Sequence, residues 1–239
     1  MPMLPTDILV VVAKYPHPGQ VKTRLGATIG YTSAAALYRA FLADLAERFV
    51  PAGREHGFTV AWACAPGPGQ LQDIVGRDAQ VLTQRGADFA DRLYYLAEDM
   101  KTLGAQRLVI TSSDSPHLAT SLVRDAFSAI EPGRVVLGPA RDGGYYLIGF
   151  DLTPGAPDLF RGIQMSTPYV LHETMARAAA LHFSVCLLPE TFDVDEVGDL
   201  ERLAEELARA GSPICSHTQE MLQQLCGPAP AEDEMAHAF

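Results

Sequence analysis

The chain has 239 residues, of which 48% are hydrophobic and 20% charged, with a formal net charge of −11. That composition suits a chain with a sizeable core and excludes a disordered or fibrous one; no apolar run approaches the roughly 18 residues of a membrane span. The acidic excess argues against a duplex nucleic-acid partner, whose affinity rests on neutralising phosphates with Lys and Arg.

Four cysteines (Cys64, Cys186, Cys215, Cys226) form no C-x-x-C pair and no zinc spacing. Cys64 and Cys186 lie in apolar runs and read as small core residues. No basic segment precedes the first apolar run, so a secretory signal is not expected and the expected compartment is the cytoplasm.

In chain order, Asp7 to Ala13 is a continuous apolar run, the mark of a strand buried on both faces. Lys14 to Gly30 reads as a polar loop. Leu37, Phe41, Leu45 and Phe49 recur every four residues and predict a helix. Phe58 to Cys64 predicts a strand closed by a Pro/Gly cluster, and Val81 with Leu82 a weak third one. Phe89, Leu93, Leu96, Met100 and Leu103 mark an amphipathic helix, followed by a strand over Arg107 to Ser113. A helix from Thr120 to Ile130, strands over Arg134 to Leu137 and Tyr145 to Phe150, a helix over Ser166 to Ala180 and a strand over Phe183 to Leu188 complete the alternation. Val197 to Ala210 and Thr218 to Leu225 predict two last helices. Ile214, Met221, Leu222 and Leu225 are expected to dock on the domain itself, in a monomer or homodimer. The pattern implies one α/β domain, residues 1–226, in three α/β/α layers around a mostly parallel sheet, with a flexible tail over 227–239.

Ligands of open α/β sheets bind outside the carboxyl ends of the strands, and four such ends carry unusual residues. The first, Lys14-Tyr15-Pro16-His17-Pro18-Gly19-Gln20-Val21-Lys22-Thr23-Arg24-Leu25, concentrates cations in an acidic chain and could surround a phosphate chain; it could equally be a solvated loop. The second, Ser112-Ser113-Asp114-Ser115-Pro116, places an aspartate where it could hold a hard cation or start the next helix. The third, around Asp142-Gly143-Gly144-Tyr145-Tyr146, is either a simple turn or a place where backbone approaches a ligand and the two tyrosines cover a base or sugar. In the fourth, Asp193 and Asp195 fall on one side of an extended segment and could share a metal; Asp195 could also cap the following helix. His117 is expected to pack toward solvent, and His17 is the better candidate for ligand contact.

The stretches Lys14 to Leu25, Ser113 to Pro116, Gly138 to Gly149 and Asp193 to Asp195 together resemble the bacterial DUF2064 family, described as glycosyltransferase A-like and related to phospholactate guanylyltransferase and other nucleotidyltransferases. The resemblance covers residues 7 to 207 and implies a GT-A, nucleotide-diphospho-sugar transferase fold. It also implies that Lys14, Lys22 and Arg24 face a triphosphate and that Asp114, Asp193 and Asp195 hold Mg²⁺ or Mn²⁺. Gly143 and Gly144 would lie near the acceptor or sugar. Gly19, Thr23, Ser113, Pro116, Asp142 and Tyr145 complete the expected nucleotide and substrate contacts. The chain departs from the family at Met165-Ser166-Thr167, where Trp-Ser-Thr is common, and at Gln20, where arginine is common.

The expected activity is transfer from a nucleotide donor to a small-molecule acceptor, without nucleic acid or membrane. Nucleotidyl transfer from an NTP to a phosphorylated acceptor, releasing pyrophosphate, explains the cationic loop. Glycosyl transfer from an NDP-sugar is the alternative, and a non-catalytic nucleotide-binding protein on the same fold is a second one.

Overall fold

In a computed structural model, residues 6–65, 67, 70–210 and 215–226 are described. Within these residues seven strands form one sheet: β1 (Asp7–Lys14), β2 (Thr59–Ala65), β3 (Gln80–Thr83), β4 (Arg107–Ser112), β5 (Arg134–Pro139), β6 (Tyr145–Asp151) and β7 (Ser184–Leu187), in the order β3-β2-β1-β4-β6-β5-β7. All neighbours run parallel except β6, which is antiparallel to both β4 and β5. The cause is local. The short turn from Pro139 to Tyr145 permits only a hairpin, whereas a parallel return needs a crossover of a dozen or more residues.

Among the described residues, eight helices connect and cover the sheet: α1 (Thr23–Ile29), α2 (Tyr31–His56), α3 (Gln72–Val75), α4 (Phe89–Thr102), α5 (Thr120–Ala129), α6 (Val170–Ala180), α7 (Val197–Ala210) and α8 (Ser216–Cys226). The period of two along β1 sorts its apolar run between two cores. Leu9 and Val11 join Leu37, Phe41, Leu45 and Phe49 of α2, with Val123, Phe127 and Leu203 of α5 and α7. Ile8 and Val10 join Leu93, Leu96 and Met100 of α4, with Phe150 and Phe160. Both faces are covered, which gives the expected three-layer α/β/α architecture. No helix among the described residues is long and apolar enough to cross a membrane.

Three local departures bear on the site. The stretch expected as loop contains α1, entered from Lys22 in the left-handed region at φ 46°. Helix α6 begins at Val170 rather than Ser166, because Ser166 has φ 63° and Pro168 disfavours helical backbone at the residue before it. The four-residue α3 has no counterpart in the hydrophobic pattern. At the C-terminal end α8 packs on α2, with Met221, Leu222 and Leu225 against the α2-side core; Ile214 and residues 227–239 lie outside the described residues. Buried Asp44 of α2 accepts hydrogen bonds from the backbone N–H of His217 (3.0 Å) and Thr218 (2.8 Å) and from the Thr218 hydroxyl (2.5 Å), capping α8.

Candidate active site

The carboxyl ends of β1 and β4 open beside the segment that follows β7, around a cavity of about 760 Å³. From the first loop, Lys14, Lys22, Thr23 and Arg24 line it; from the β4 end, Ser113 and Asp114; from the later loops, Asp142, Gly144, Tyr145, Asp193 and Asp195. Gly19, Pro116 and Gly143 do not line it. Gly19 supplies a φ of 77° in the loop, Pro116 is buried with its carbonyl oxygen turned to Arg48 and Cys215, and Gly143 shapes the turn.

The left-handed backbone at Lys22 turns its side chain inward, where it is only 3% exposed. Its ammonium contacts Asp114 Oδ1 and lies 2.9 Å from Asp195 Oδ1, with the rings of Tyr38 and Phe41 each 5.9 Å away. Burial disfavours the charged form, but Asp114 and Asp195 outweigh it and hold the lysine pKa above its ordinary value. Tyr38 ties the strand ends together: its hydroxyl is 2.6 Å from Ser113 Oγ and accepts from the Lys14 N–H at 3.2 Å, while Ser113 Oγ donates to the Val12 carbonyl at 2.8 Å.

The two acidic segments are joined by polar contacts across about eighty residues of sequence. The Val194 N–H donates to the Asp114 carbonyl at 3.0 Å. Ser115, fully buried, lies 2.6 Å from Asp193 Oδ1 and 2.9 Å from the Phe192 carbonyl oxygen, its single proton serving either. Burial, and then the neighbouring Asp114, push the Asp193 carboxyl up to about 6. Asp195 behaves oppositely. Although burial raises it, Lys22 and Arg24 hold it below its ordinary value. Asp195 does not cap α7; Asp199 Oδ2 does, accepting the N–H groups of Asp195 (3.1 Å) and Glu196 (2.9 Å). Nor do Asp114 or Ser115 start α5, whose N-cap position is Ala119.

Two expectations need correction. His117 does not face solvent. It is 9% exposed, stacks on Phe192 with ring centroids 4.3 Å apart, and places Nε2 3.0 Å from Thr191 Oγ1. The Phe192 ring and the Thr191 hydroxyl suit the neutral imidazole better than the charged one, while the buried Nδ1 has no hydrogen-bond partner among the described residues. The two adjacent tyrosines do not sit alike: both border the cavity, but Tyr145 is half-buried and Tyr146 buried. Tyr146 is 1% exposed, packs its ring over Gly138 and donates its hydroxyl to the Pro189 carbonyl at 3.1 Å.

Several wall residues were not among the candidates read from the sequence. Phe89 and Arg92, on the first turn of α4, line the cavity, as do Gln84 and Tyr38. Gln84 Nε2 donates to the Ala63 carbonyl at 2.7 Å, bridging toward the β1 end. A partial signal existed for the α4 pair: Asp88, which caps α4 by accepting the Asp91 N–H at 2.8 Å, fixes a helix start at the carboxyl end of β3.

Asp114, Asp193 and Asp195 offer only oxygen donors, the set preferred by Mg²⁺ and Mn²⁺. A cation, the Lys22 ammonium, already lies against two of them. The donor chemistry and this stand-in charge fit a hard divalent ion, although Asp114 and Asp195 converge on Lys22 while Asp193 turns to Ser115, and the three do not form a tight ligand group among the described residues. Among the described residues, the tight His/carboxylate group is instead Asp44, Glu47 and His217, with ligand atoms within 4.8 Å of one another. Both oxygens of Asp44 are engaged in capping α8, and His217 Nε2 is 3.0 Å from Glu47, so this group is accounted for as a helix cap.

No curated protein matches the chain. A profile of the family described as "Uncharacterized protein conserved in bacteria (DUF2064)" matches residues 51–167. A crystal structure from Desulfovibrio desulfuricans G20, described as a candidate nucleotide-diphospho-sugar transferase, superposes with TM-score 0.83 at 30% identity, over 92% of this chain and 95% of that one. Two more distant structures share the fold. A nucleotidyl transferase from Methanothermobacter has TM-score 0.55 at 13% identity, over 85% of this chain and 99% of that one. A cytidylyltransferase from Leptospira borgpetersenii has TM-score 0.55 at 14% identity, over 93% and 94%. The family profile, the near-complete overlap at 30% identity and the seven-stranded sheet with its loaded strand ends agree: this chain belongs to the DUF2064 family and carries a GT-A-like, nucleotide-diphospho-sugar transferase fold.

Proposed function

We propose that this protein is a metal-dependent nucleotidyltransferase, moving a nucleoside monophosphate from an NTP to a small phosphorylated acceptor with release of pyrophosphate. The observation that carries this reading is one cavity that combines four aspartates, Asp114, Asp142, Asp193 and Asp195, with Lys14, Lys22, Arg24 and Arg92. Clustered charges of both signs at the ends of parallel strands suit a polyphosphate bridged to a cation. In this reading Asp114, Asp193 and Asp195 hold Mg²⁺ or Mn²⁺, which when bound would neutralise charge developing on the phosphate oxygens.

The chain's own residues divide the remaining work. Lys14, at the exposed end of β1, and Arg24, 69% exposed beside Glu196, lie where they can meet a mobile polyphosphate. Thr23 and the α1 start lie beside them on the same wall. On the opposite wall, Tyr145 and the Met165–Pro168 segment bound the space left for an acceptor. An acceptor phosphate is already ionised at neutral pH, so no general base is required of the chain.

The relative described as a candidate nucleotide-diphospho-sugar transferase favours a second reading, glycosyl transfer from an NDP-sugar. The two readings separate by product. Incubation with Mg²⁺, each NTP in turn and a panel of sugar 1-phosphates is expected to release pyrophosphate; incubation with UDP-, GDP- or dTDP-sugars is expected to release no nucleoside diphosphate. Asp114→Asn is expected to abolish the first reaction, and full turnover in that variant at saturating Mg²⁺ would end the proposal. Nucleotide binding without turnover of any donor would point to a non-catalytic protein on this fold.

A further inference from the structure

We propose that the Lys22 ammonium and a divalent cation compete for Asp114 and Asp195, so that the protein's own charge weakens cation binding until nucleotide phosphates offset it. This rests on the reading of Asp114, Asp193 and Asp195 as the cation site. The geometry is specific to this loop. Lys22 adopts a left-handed backbone that few non-glycine residues adopt, and three per cent of its side chain is exposed, whereas Asp114 and Asp195 are 39% and 40% exposed. The ammonium therefore engages one oxygen, Oδ1, of each carboxylate, while both carboxylate side chains remain partly exposed at the cavity they line. A divalent ion arriving from the cavity meets the same two carboxylates with one positive charge already on them.

The charge sum shows the consequence. Three ionised aspartates carry three negative charges, and Lys22 cancels one. A divalent ion then meets two net negative charges instead of three, so it is held less tightly than it would be without the ammonium. A polyphosphate placed against Lys14 and Arg24 adds negative charge and offers Lys22 alternative acceptors. Cation and nucleotide then each strengthen the binding of the other, as linkage requires. In this arrangement Lys22 is a positioning and charge-balancing residue, whatever contact it makes with phosphate.

The test is Mn²⁺ titration of the full chain without nucleotide, following free Mn²⁺ by electron paramagnetic resonance. Lys22→Gln removes the charge but keeps a donor to either carboxylate, and is expected to bind Mn²⁺ tighter than the unsubstituted protein by on the order of tenfold or more. Lys22→Arg keeps the charge and is expected to stay within about threefold of the unsubstituted protein. Adding Asp114→Asn to Lys22→Gln is expected to remove the gained affinity. If folded Lys22→Gln binds Mn²⁺ no tighter, or more weakly, the competition is refuted while the cation site stands. If no form binds Mn²⁺, with or without an NTP, the cation site itself is refuted. Circular dichroism of each variant guards against loss of fold, and Lys22→Arg supplies the folded comparison.

Discussion

Gly143 and Gly144 look equivalent in the sequence, yet the structure assigns them different costs on substitution. Gly143 has φ +88°, and a Cβ built there would sit 2.1 Å from the Pro168 carbonyl oxygen, a backbone atom that cannot swing aside. Alanine would incur about 1–2 kcal/mol for the left-handed conformation and about 1–3 kcal/mol for overpacking. Together these give about 2–5 kcal/mol. The strain would fall on the Met165–Pro168 wall of the cavity and on the Leu171 N–H bond to the Gly143 carbonyl (2.9 Å), which sets the start of α6. At Gly144 the nearest atom is Asp142 Oδ1 at 3.1 Å, the end of a flexible side chain, and no left-handed backbone is involved. Gly144→Ala should therefore cost less than about 1 kcal/mol. Urea unfolding of both variants, with nucleotide titration by thermal shift, measures the difference. Equal destabilisation by the two substitutions, or a Gly143→Ala variant within about 0.5 kcal/mol of the unsubstituted protein, would refute the backbone-contact argument.

Asp44→Ala should destabilise the protein by about 2–4 kcal/mol through loss of the α8 cap and its buried donors; the loss should be the same in EDTA and in Mg²⁺, and a metal-dependent loss would contradict the capping role. Burial first, and then Arg48, push the His117 pKa down from 6.5 to about 4. The unfolded chain therefore binds a proton in that window that the folded one does not, and the neutral imidazole's contribution is lost as pH falls from 6.5 toward 4. The effect reaches about 3 kcal/mol, so His117→Gln should gain stability relative to the unsubstituted protein over that range, as read by urea midpoints at pH 7 and pH 4. Asp193 opposes it, since its folded pKa of about 6 lies above the ordinary 3.8 and its ionisation costs stability as pH rises through that interval. Glu196→Ala should change stability by less than about 0.5 kcal/mol, because its pair with Arg24 is exposed on both sides. Arg24→Ala should be equally neutral in unfolding but weaken NTP binding in a thermal-shift titration.

Much of the fold was legible because strands covered on both faces read as apolar runs and covered helices repeat every three to four residues. Asp7 to Ala13 and the Leu37 to Phe49 stripe are the clearest cases. Helix α1 was not legible: it has seven residues, no side-chain cap, and begins from a left-handed lysine. The charged positions of the candidate site could be named from their places at strand ends, but not their orientations. A lysine in a Pro/Gly loop reads as a cation facing solvent, and the positive φ that turns Lys22 inward has no sequence signature outside glycine, asparagine and aspartate. His117 follows Pro116 and reads as loop; the Phe192 ring that buries it is 75 residues away.

The same distance explains why the site exists only in the folded chain. Asp193 and Asp195 follow a bridge between Ala140 and Thr191, so their placement depends on the β5–β6 hairpin. Asp114 depends on β4, and Lys22 on the start of α1. Backbone contact between Val194 and Asp114, Ser115 beneath Asp193 and His117 against Thr191 then zip these pieces together. Drawing three carboxylates into one place is unfavourable unless each is offset, and each is offset differently. Asp195 and Asp114 share Lys22. Asp193, left with hydroxyl partners, moves toward its neutral form. The unequal pKa directions of the two nearby aspartates thus follow from which of them the lysine reaches, which makes the inward turn at Lys22 the structural choice on which the electrostatics of the cavity depend.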